Sequence, residues 1–368
     1  ANDEHLWATN YDRELTLKAV FSIQAAVATE IAGALKAAIS PETKKLLERL
    51  PTENLAAYDL YLKGRYHFGK ATQAGWSEAI QAFNQAIQLD PNYALAWCGL
   101  ADNYNFLGGV LMPGKEAWAK GKDAAQRAFN LDPDRAEARL SLALALAGDY
   151  DWPGVEREMK RALELDPNLA LAHDQYAWLL TMRERFEEAA ARSKRAVELD
   201  PLSPLMHLNR GYWFYLARRF DEANTHIRKA LELDPNSPWA LRTLGWSLLW
   251  KGDKAGALAS MEKAQSLDAD PFSIGSFGHA LAVSGDRAKA EQILRDLENM
   301  AKQRYVTPAA TMVVYLGLGE KGKALEWLEK SYGDRDPQCW PLKVEPFYDS
   351  LRNEPRFQAL LKKVGLDP

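Results

Sequence analysis

Four successive stretches of the chain end in the tripeptide Leu-Asp-Pro, with the prolines at Pro133, Pro167, Pro201 and Pro235, a constant spacing of 34 residues. A fixed spacing of that length marks an array of helix-turn-helix units, each unable to bury its apolar face without a stacked neighbour. Pro91 precedes Pro133 by 42 residues and Leu267 follows Leu233 by 34, so the array extends both ways with one insertion of eight.

Within each unit the small residues keep register. Second helices repeat Ala86, Ala128, Ala162, Ala196, Ala230 and Ala264, while first helices place Gly64, Ala101, Ala143, Ala177, Gly211, Gly245 and Gly278 at the matching position. Close helix packing requires such residues, because only they let two backbones approach. Trp97, Leu100 and Tyr104 are spaced three and four apart and predict one buried face of a first helix. The proline presets φ and stops the preceding helix, and the aspartate can accept backbone hydrogen bonds at the turn, so Leu-Asp-Pro is structural punctuation.

The strings DPNYALAWCGLADNY, RFEEAAARSKRAVELDP and RFDEANTHIRKALELDP resemble the tetratricopeptide repeat (TPR) consensus. The resemblance implies an all-α, right-handed TPR superhelix, an α-solenoid of about eight units over 51–333, starting near 57, 94, 136, 170, 204, 238, 272 and 306. The insertion GGVLMPGKEAWAKG, with Gly108, Gly109, Pro113 and Gly114, reads as a loop on the array's edge. Residues 1–50 depart from the repeat: EHLWATNYDR has strand character, and a long helix is expected from about Thr16 to Ile39. This region resembles the closing strand and helix of the TolB-like domain that precedes TPR arrays in bacterial signalling proteins, among them winged-helix regulators, Ser/Thr kinases and adenylate cyclases. Residues 334–368 are expected to form a helical cap in which Phe357, Leu360 and Leu361 cover the end of the stack.

With 368 residues, 47% of them hydrophobic, the chain can bury a long continuous core. A net charge of −4 argues against a surface that neutralises phosphates, so nucleic acid is not expected as a partner of this region. Val20 to Ile39, the most apolar stretch, is interrupted by Gln24, Glu30 and Lys36 and falls short of the roughly 18 unbroken apolar residues of a span, so no membrane insertion is expected here. Cys98 and Cys339 have no partner spacing and suit free thiols. The chain starts at Ala1 without a signal-peptide pattern, so upstream targeting information is expected to have been removed. The expected location is the cytoplasm, with the periplasm as the alternative if a membrane-anchored upstream region was lost.

In a TPR superhelix the first helices line the concave side, and the resemblance assigns the inward positions. They give Tyr61, Arg65, Asp102 and Asn105 in the early units, then Asp174, Trp178, Tyr212, Tyr215, Trp239, Arg242 and Trp246, an aromatic wall. Exposed Trp and Tyr are typical interface anchors, which predicts a groove for a protein or peptide with apolar or aromatic side chains. The alternative is that the rings are buried against one another or against a terminal segment. Chaperone co-factors hold a carboxylate with Lys and Asn at two inward positions; Tyr61 and Arg65, Cys98 and Asp102, and Leu140 and Leu144 stand there, so that clamp is absent. A lone strand in residues 1–50 would leave unpaired backbone groups and could drive homodimer formation.

No enzyme chemistry is expected. Gly317, Gly319 and Gly322 satisfy G-x-G-x-x-G but fall within a repeat's helix-turn-helix, whereas the dinucleotide fingerprint needs a preceding strand. The six histidines lack metal-ligand spacing, and His173 and His207, 34 apart, read as core. Glu187, Glu188 and Glu198 lie among Arg192, Lys194 and Arg195 on a convex face, with Glu188 and Arg192 at ion-pair spacing. Neither a cofactor nor a catalytic or metal site is expected.

Overall fold

The computed structural model describes residues 17–34 and 50–366. The strand expected in EHLWATNYDR lies outside these residues. Helix α1 (Leu17–Ala34) leads to the array, where its Phe21 ring meets Tyr58 edge-on at 5.3 Å. Antiparallel helix pairs follow: α2 (Leu55–Gly69) with α3 (Gln73–Leu89), α4 (Ala94–Leu107) with α5 (Gly114–Leu131), α6 (Ala136–Gly148) with α7 (Trp152–Leu165), and α8 (Ala170–Met182) with α9 (Phe186–Leu199). Then come α10 (Pro204–Leu216) with α11 (Phe220–Leu233), α12 (Pro238–Trp250) with α13 (Lys254–Leu267), α14 (Pro271–Ser284) with α15 (Arg287–Ala301), and α16 (Pro308–Gly317) with α17 (Lys321–Gly333). Two short 3₁₀ turns, Pro337–Cys339 and Pro346–Leu351, lead to α18 (Pro355–Val364).

Local chemistry sets these boundaries. Ser203 and Ser237 accept from Met206 and Ala240 backbone N–H groups, with Pro204 and Pro238 as first helical residues, where a missing N–H costs nothing. Asp90, Asp166 and Asp234 of the Leu-Asp-Pro turns accept the N–H two residues on, closing an Asx turn in each case. In the first four of the Leu-Asp-Pro turns the proline carbonyl meets a donor six residues later: Trp97 Nε1 at 2.9 Å, Arg139 Nε at 2.9 Å, His173 Nε2 at 3.0 Å and His207 Nε2 at 3.1 Å, whereas Pro235 meets Lys263 Nζ at 3.2 Å. His173 and His207, both buried, thus satisfy turn carbonyls inside the packing.

The small-residue register becomes core. A Cβ on Gly211 would lie 2.6 Å from Ile227 Cγ1, and one on Gly245 2.5 Å from Met261 Cγ, so the backbones touch where side chains are missing. On the convex side Glu188 pairs with Arg185 at 2.7 Å and not with Arg192, whose guanidinium instead lies 5.4 Å from the Tyr176 ring centre. Between α16 and α17, Gly319 takes φ +75° in a helix-turn-helix and Gly322 lies within α17, so the three glycines follow a helix and not a strand.

The array curls until its first hairpin meets the turns after the sixth and seventh. Gln73, opening α3, donates through its backbone N–H and its amide to Asp268 beyond α13, at 3.2 and 2.8 Å. Arg304, after α15, returns to the Gln73 amide oxygen at 3.0 Å and to the Ala269 carbonyl at 2.8 Å. The first hairpin is thereby clasped to the sixth and seventh.

Residues after α17 correct the expectation of a simple cap. Helix α18 does pack on the last hairpin, with Arg356 on Glu329 at 2.7 Å and Phe357 fully buried. The segment 334–351, however, enters the concave face, and α18 reaches back to α7, where Trp152 Nε1 donates to the Val364 carbonyl at 2.6 Å.

Candidate functional site

The concave face is built by the first helices of the pairs and by the turns that end them. In several hairpins a residue between first and second helix is left-handed: Ala71 (φ +50°), Tyr150 (φ +62°), Glu184 (φ +59°), Arg218 (φ +63°), Gly252 (φ +85°), Gly285 (φ +101°) and Gly319 (φ +75°). Glycine takes this conformation freely, whereas other L-residues do so at a cost of roughly 1–2 kcal/mol. Three of the four non-glycine residues, Tyr150, Glu184 and Arg218, touch the carboxy-terminal segment. The Arg335 guanidinium lies 4.9 Å from the Tyr150 ring centre, Glu184 pairs with Lys343 at 2.8 Å, and Arg218 holds Asp349 through two bonds of 2.8 and 2.6 Å. Backbone strain persists where surroundings over-determine it, and here the segment supplies those surroundings.

From its first residues the segment is seated by backbone as well as side chains. Lys115 N–H donates to the Asp334 carbonyl at 2.7 Å, Trp118 Nε1 to the Arg335 carbonyl at 2.9 Å, and Arg335 to the Gly148 carbonyl at 2.9 Å. The eight-residue insertion is therefore more than an edge loop. Its Gly109 faces Pro337 and Asp336, and a Cβ on Gly114 would stand 2.1 Å from the Arg335 carbonyl oxygen. Gly114→Ala is expected to lower stability by about 1–3 kcal/mol through this collision. Thermal melting checks it, and an unchanged midpoint would mean that the segment does not seat there.

Further along, Trp340 inserts between Trp118 and Trp178, with ring centres 4.9 and 5.1 Å away, and Phe347 packs on Trp246 at 5.1 Å. Between these anchors the buried Glu345 carboxylate accepts the phenol protons of Tyr215 at 2.6 Å and Tyr212 at 3.1 Å. Burial pushes Glu345 up to about 7, against the pull of the two phenol bonds, and pushes the Tyr212 and Tyr215 phenols upward as well.

Behind the segment a cavity of about 270 Å³ remains. Of the residues assigned to the concave face by sequence, Asn105, Asp174, Trp178, Tyr212, Trp239, Arg242 and Trp246 line it together. Tyr215 is covered by Glu345 and stands outside the lining. The other early positions lie elsewhere: Tyr61 packs between Phe83 and Tyr93, Arg65 is exposed with its guanidinium near the Phe68 ring, and Asp102 is buried and accepts from the Ser141 hydroxyl at 2.7 Å. Sequence reasoning missed Trp340, Glu345 and Phe347, whose signal was three aromatic or acidic residues among prolines in WPLKVEPF.

A sequence model of the TPR repeat matches residues 76–105, and a tetratricopeptide-repeat model matches 177–238 and 215–274. The crystal structure of the APC/C hetero-tetramer Cut9-Hcn1 superposes with a TM-score of 0.57 at 17% identity, covering 83% of this chain and 55% of that one. The fold is that of a TPR solenoid. Yeast Tom70 superposes with a TM-score of 0.50 at 17% identity over 85% of this chain and 68% of Tom70. The pilF protein of Pseudomonas aeruginosa gives 0.44 at 19% identity, over 63% of this chain and 96% of that one. At such identities the likeness concerns the fold alone. No curated protein sequence matches the chain. TPR solenoids generally act as non-catalytic protein-interaction scaffolds, and among the described residues no helix is long and apolar enough to cross a membrane.

Proposed function

We propose that this TPR solenoid is a protein-interaction scaffold whose concave face takes an extended segment bearing aromatic anchors around an acidic residue. The observation that carries this reading is the occupant itself. Residues 334–351 lie on the concave wall with Trp340 and Phe347 in aromatic sockets and Glu345 on two phenols, so a partner of the same chemistry would find the same sockets. The sockets favour the binding reading and the self-burial alternative at once: the occupant is the carboxy-terminal segment of the same chain, and a partner must replace it.

The test is a labelled peptide of residues 334–351 added to a Trp340→Ala/Phe347→Ala variant whose own segment has lost its anchors. Fluorescence anisotropy is expected to report binding to this variant and not to the wild type, and Trp246→Ala in the same background is expected to weaken it by about 2 kcal/mol or more. A folded variant that ignores the peptide would overturn the reading.

The larger setting follows from the resemblance of residues 1–50 to the TolB-like domain. On that basis the chain is the recruiting part of a bacterial signalling or transcriptional regulatory protein, cytoplasmic or, behind a membrane anchor, periplasmic, with a regulator, kinase or cyclase domain upstream. Homodimer formation through residues 1–50 belongs to the same reading, and light scattering with and without those residues tests it: a dimer lost on truncation supports it, a monomer throughout sinks it.

A further inference from the structure

The cavity behind the segment has a one-sided charge inventory. Asp174, Asp336 and Glu345 line it, each at most 3% exposed. Every one is held by neutral donors: Asp174 by Asn209 Nδ2 at 2.6 Å and Trp213 Nε1 at 3.2 Å, Glu345 by the two phenols, Asp336 by the Thr307 hydroxyl and the Gln338 N–H. Arg242 is the only cation among the described lining residues, and it is committed to Asp270 at 3.2 Å and to the Ser273 hydroxyl at 2.8 Å. A buried carboxylate without a cation is costly when ionised, and neutral hydrogen bonds offset that only in part.

A second observation is independent of charge. Asn209 Oδ1 and Gln175 Oε1 have no hydrogen-bond partner, although both residues line the cavity and are more than nine-tenths buried. The orientation of the Asn209 amide is fixed by the bond from its Nδ2 to Asp174, so the orphan atom is an acceptor. Buried polar groups are normally satisfied, and the lining leaves three acceptor oxygens unbonded, those of Asn105, Gln175 and Asn209, against one donor, Asn105 Nδ2, so it asks mainly for N–H donors. Trp178, Trp213, Trp239, Trp246 and Tyr212 complete the lining, rings that can enclose an apolar body and attract a cation where a face is free.

We propose that the cavity is a binding site for a small organic ammonium ion, a primary or secondary amine on an apolar or aromatic body. Its N–H groups bond Asp174 and, on a small shift of the two amides that are sealed as the structure stands, the free oxygens of Asn209 and Gln175, and its body lies against the tryptophan rings. A volume of about 270 Å³ holds many times one water's share of roughly 30 Å³ and sits at the small end of ligand pockets. Anions are opposed by these three carboxyls and by Asp268 and Asp270, which also line the cavity. The site shares Trp178 and Trp246 with the sockets of Trp340 and Phe347, and Asp336 and Glu345 of the segment wall it, so it exists with the segment docked.

The experiment is calorimetric titration of the full chain with tryptamine and phenethylamine, against 2-phenylethanol and 3-phenylpropionate as neutral and anionic isosteres. The amines are expected to bind with Kd below about 1 mM, at least tenfold tighter than either isostere. Asp174→Asn is expected to weaken the amines tenfold or more. Should that variant not fold, Gln175→Met, which keeps the volume and removes one orphan acceptor, is expected to weaken them several-fold with an unchanged melting midpoint. Equal binding of amine and alcohol, or no heat from any amine in a protein that melts cooperatively, overturns the proposal.

Discussion

Phe347→Ala is expected to remove about 3–5 kcal/mol, the cost of emptying a buried aromatic site that cannot collapse. Phe347 is 5% exposed and touches Trp246 and Tyr348, at 5.1 and 4.5 Å between ring centres. The helical hairpins keep their own interfaces, so the loss should be concentrated in the segment. Amide hydrogen exchange would then speed up over 334–351 and around Tyr215 and Trp246 while α4 to α9 stay protected. Uniform acceleration across the chain would instead make the segment an inseparable part of the core and would count against its replacement by a partner.

Docking of the segment is also expected to weaken as pH rises from about 5 to 8. Glu345 is held up at about 7 in the folded chain by burial, above its ordinary value of 4.5, so folding takes up a proton between those limits. Its contribution is fully present below the unfolded value and is lost as pH rises through the folded one. Asp174, at about 7, and Asp336, at about 6, act in the same direction for the same cause. Glu345→Gln, which mimics the protonated form, should flatten the profile by on the order of 3 kcal/mol. Urea midpoints of wild type and variant at the two ends of this range check it. A wild-type midpoint that does not fall with pH, or a variant with the same slope, would show that Glu345 ionises without consequence.

The spacing of Leu-Asp-Pro was enough to read the helix-turn-helix architecture, because each unit repeats the same turn chemistry and the same glycine or alanine contact. The repeat resemblance likewise brings Trp178 and Trp246 to one wall. What faces that wall was not legible. Trp340, Glu345 and Phe347 belong to no repeat register, prolines interrupt any helical period around them, and their partners lie more than 100 residues away in the chain. Gly114 shows the same limit: four glycines and prolines close together signal a loop, but not that a distant carbonyl will press against one of them. One clue was present and unused. Tyr150, Glu184 and Arg218 stand 34 apart at the turn position where Gly252 continues the series, and all three touch the segment.

The clasp of Gln73 on Asp268 and Arg304 bears on how such an object can deform. An open solenoid is elastic: small rotations at every interface add up, and its pitch adapts to whatever it wraps. Here the first hairpin is tied to the sixth and seventh, so those rotations can no longer accumulate between them. The molecule behaves as a closed hoop of fixed bore, and a guest of another size is met by withdrawing the segment, since the spring itself cannot stretch.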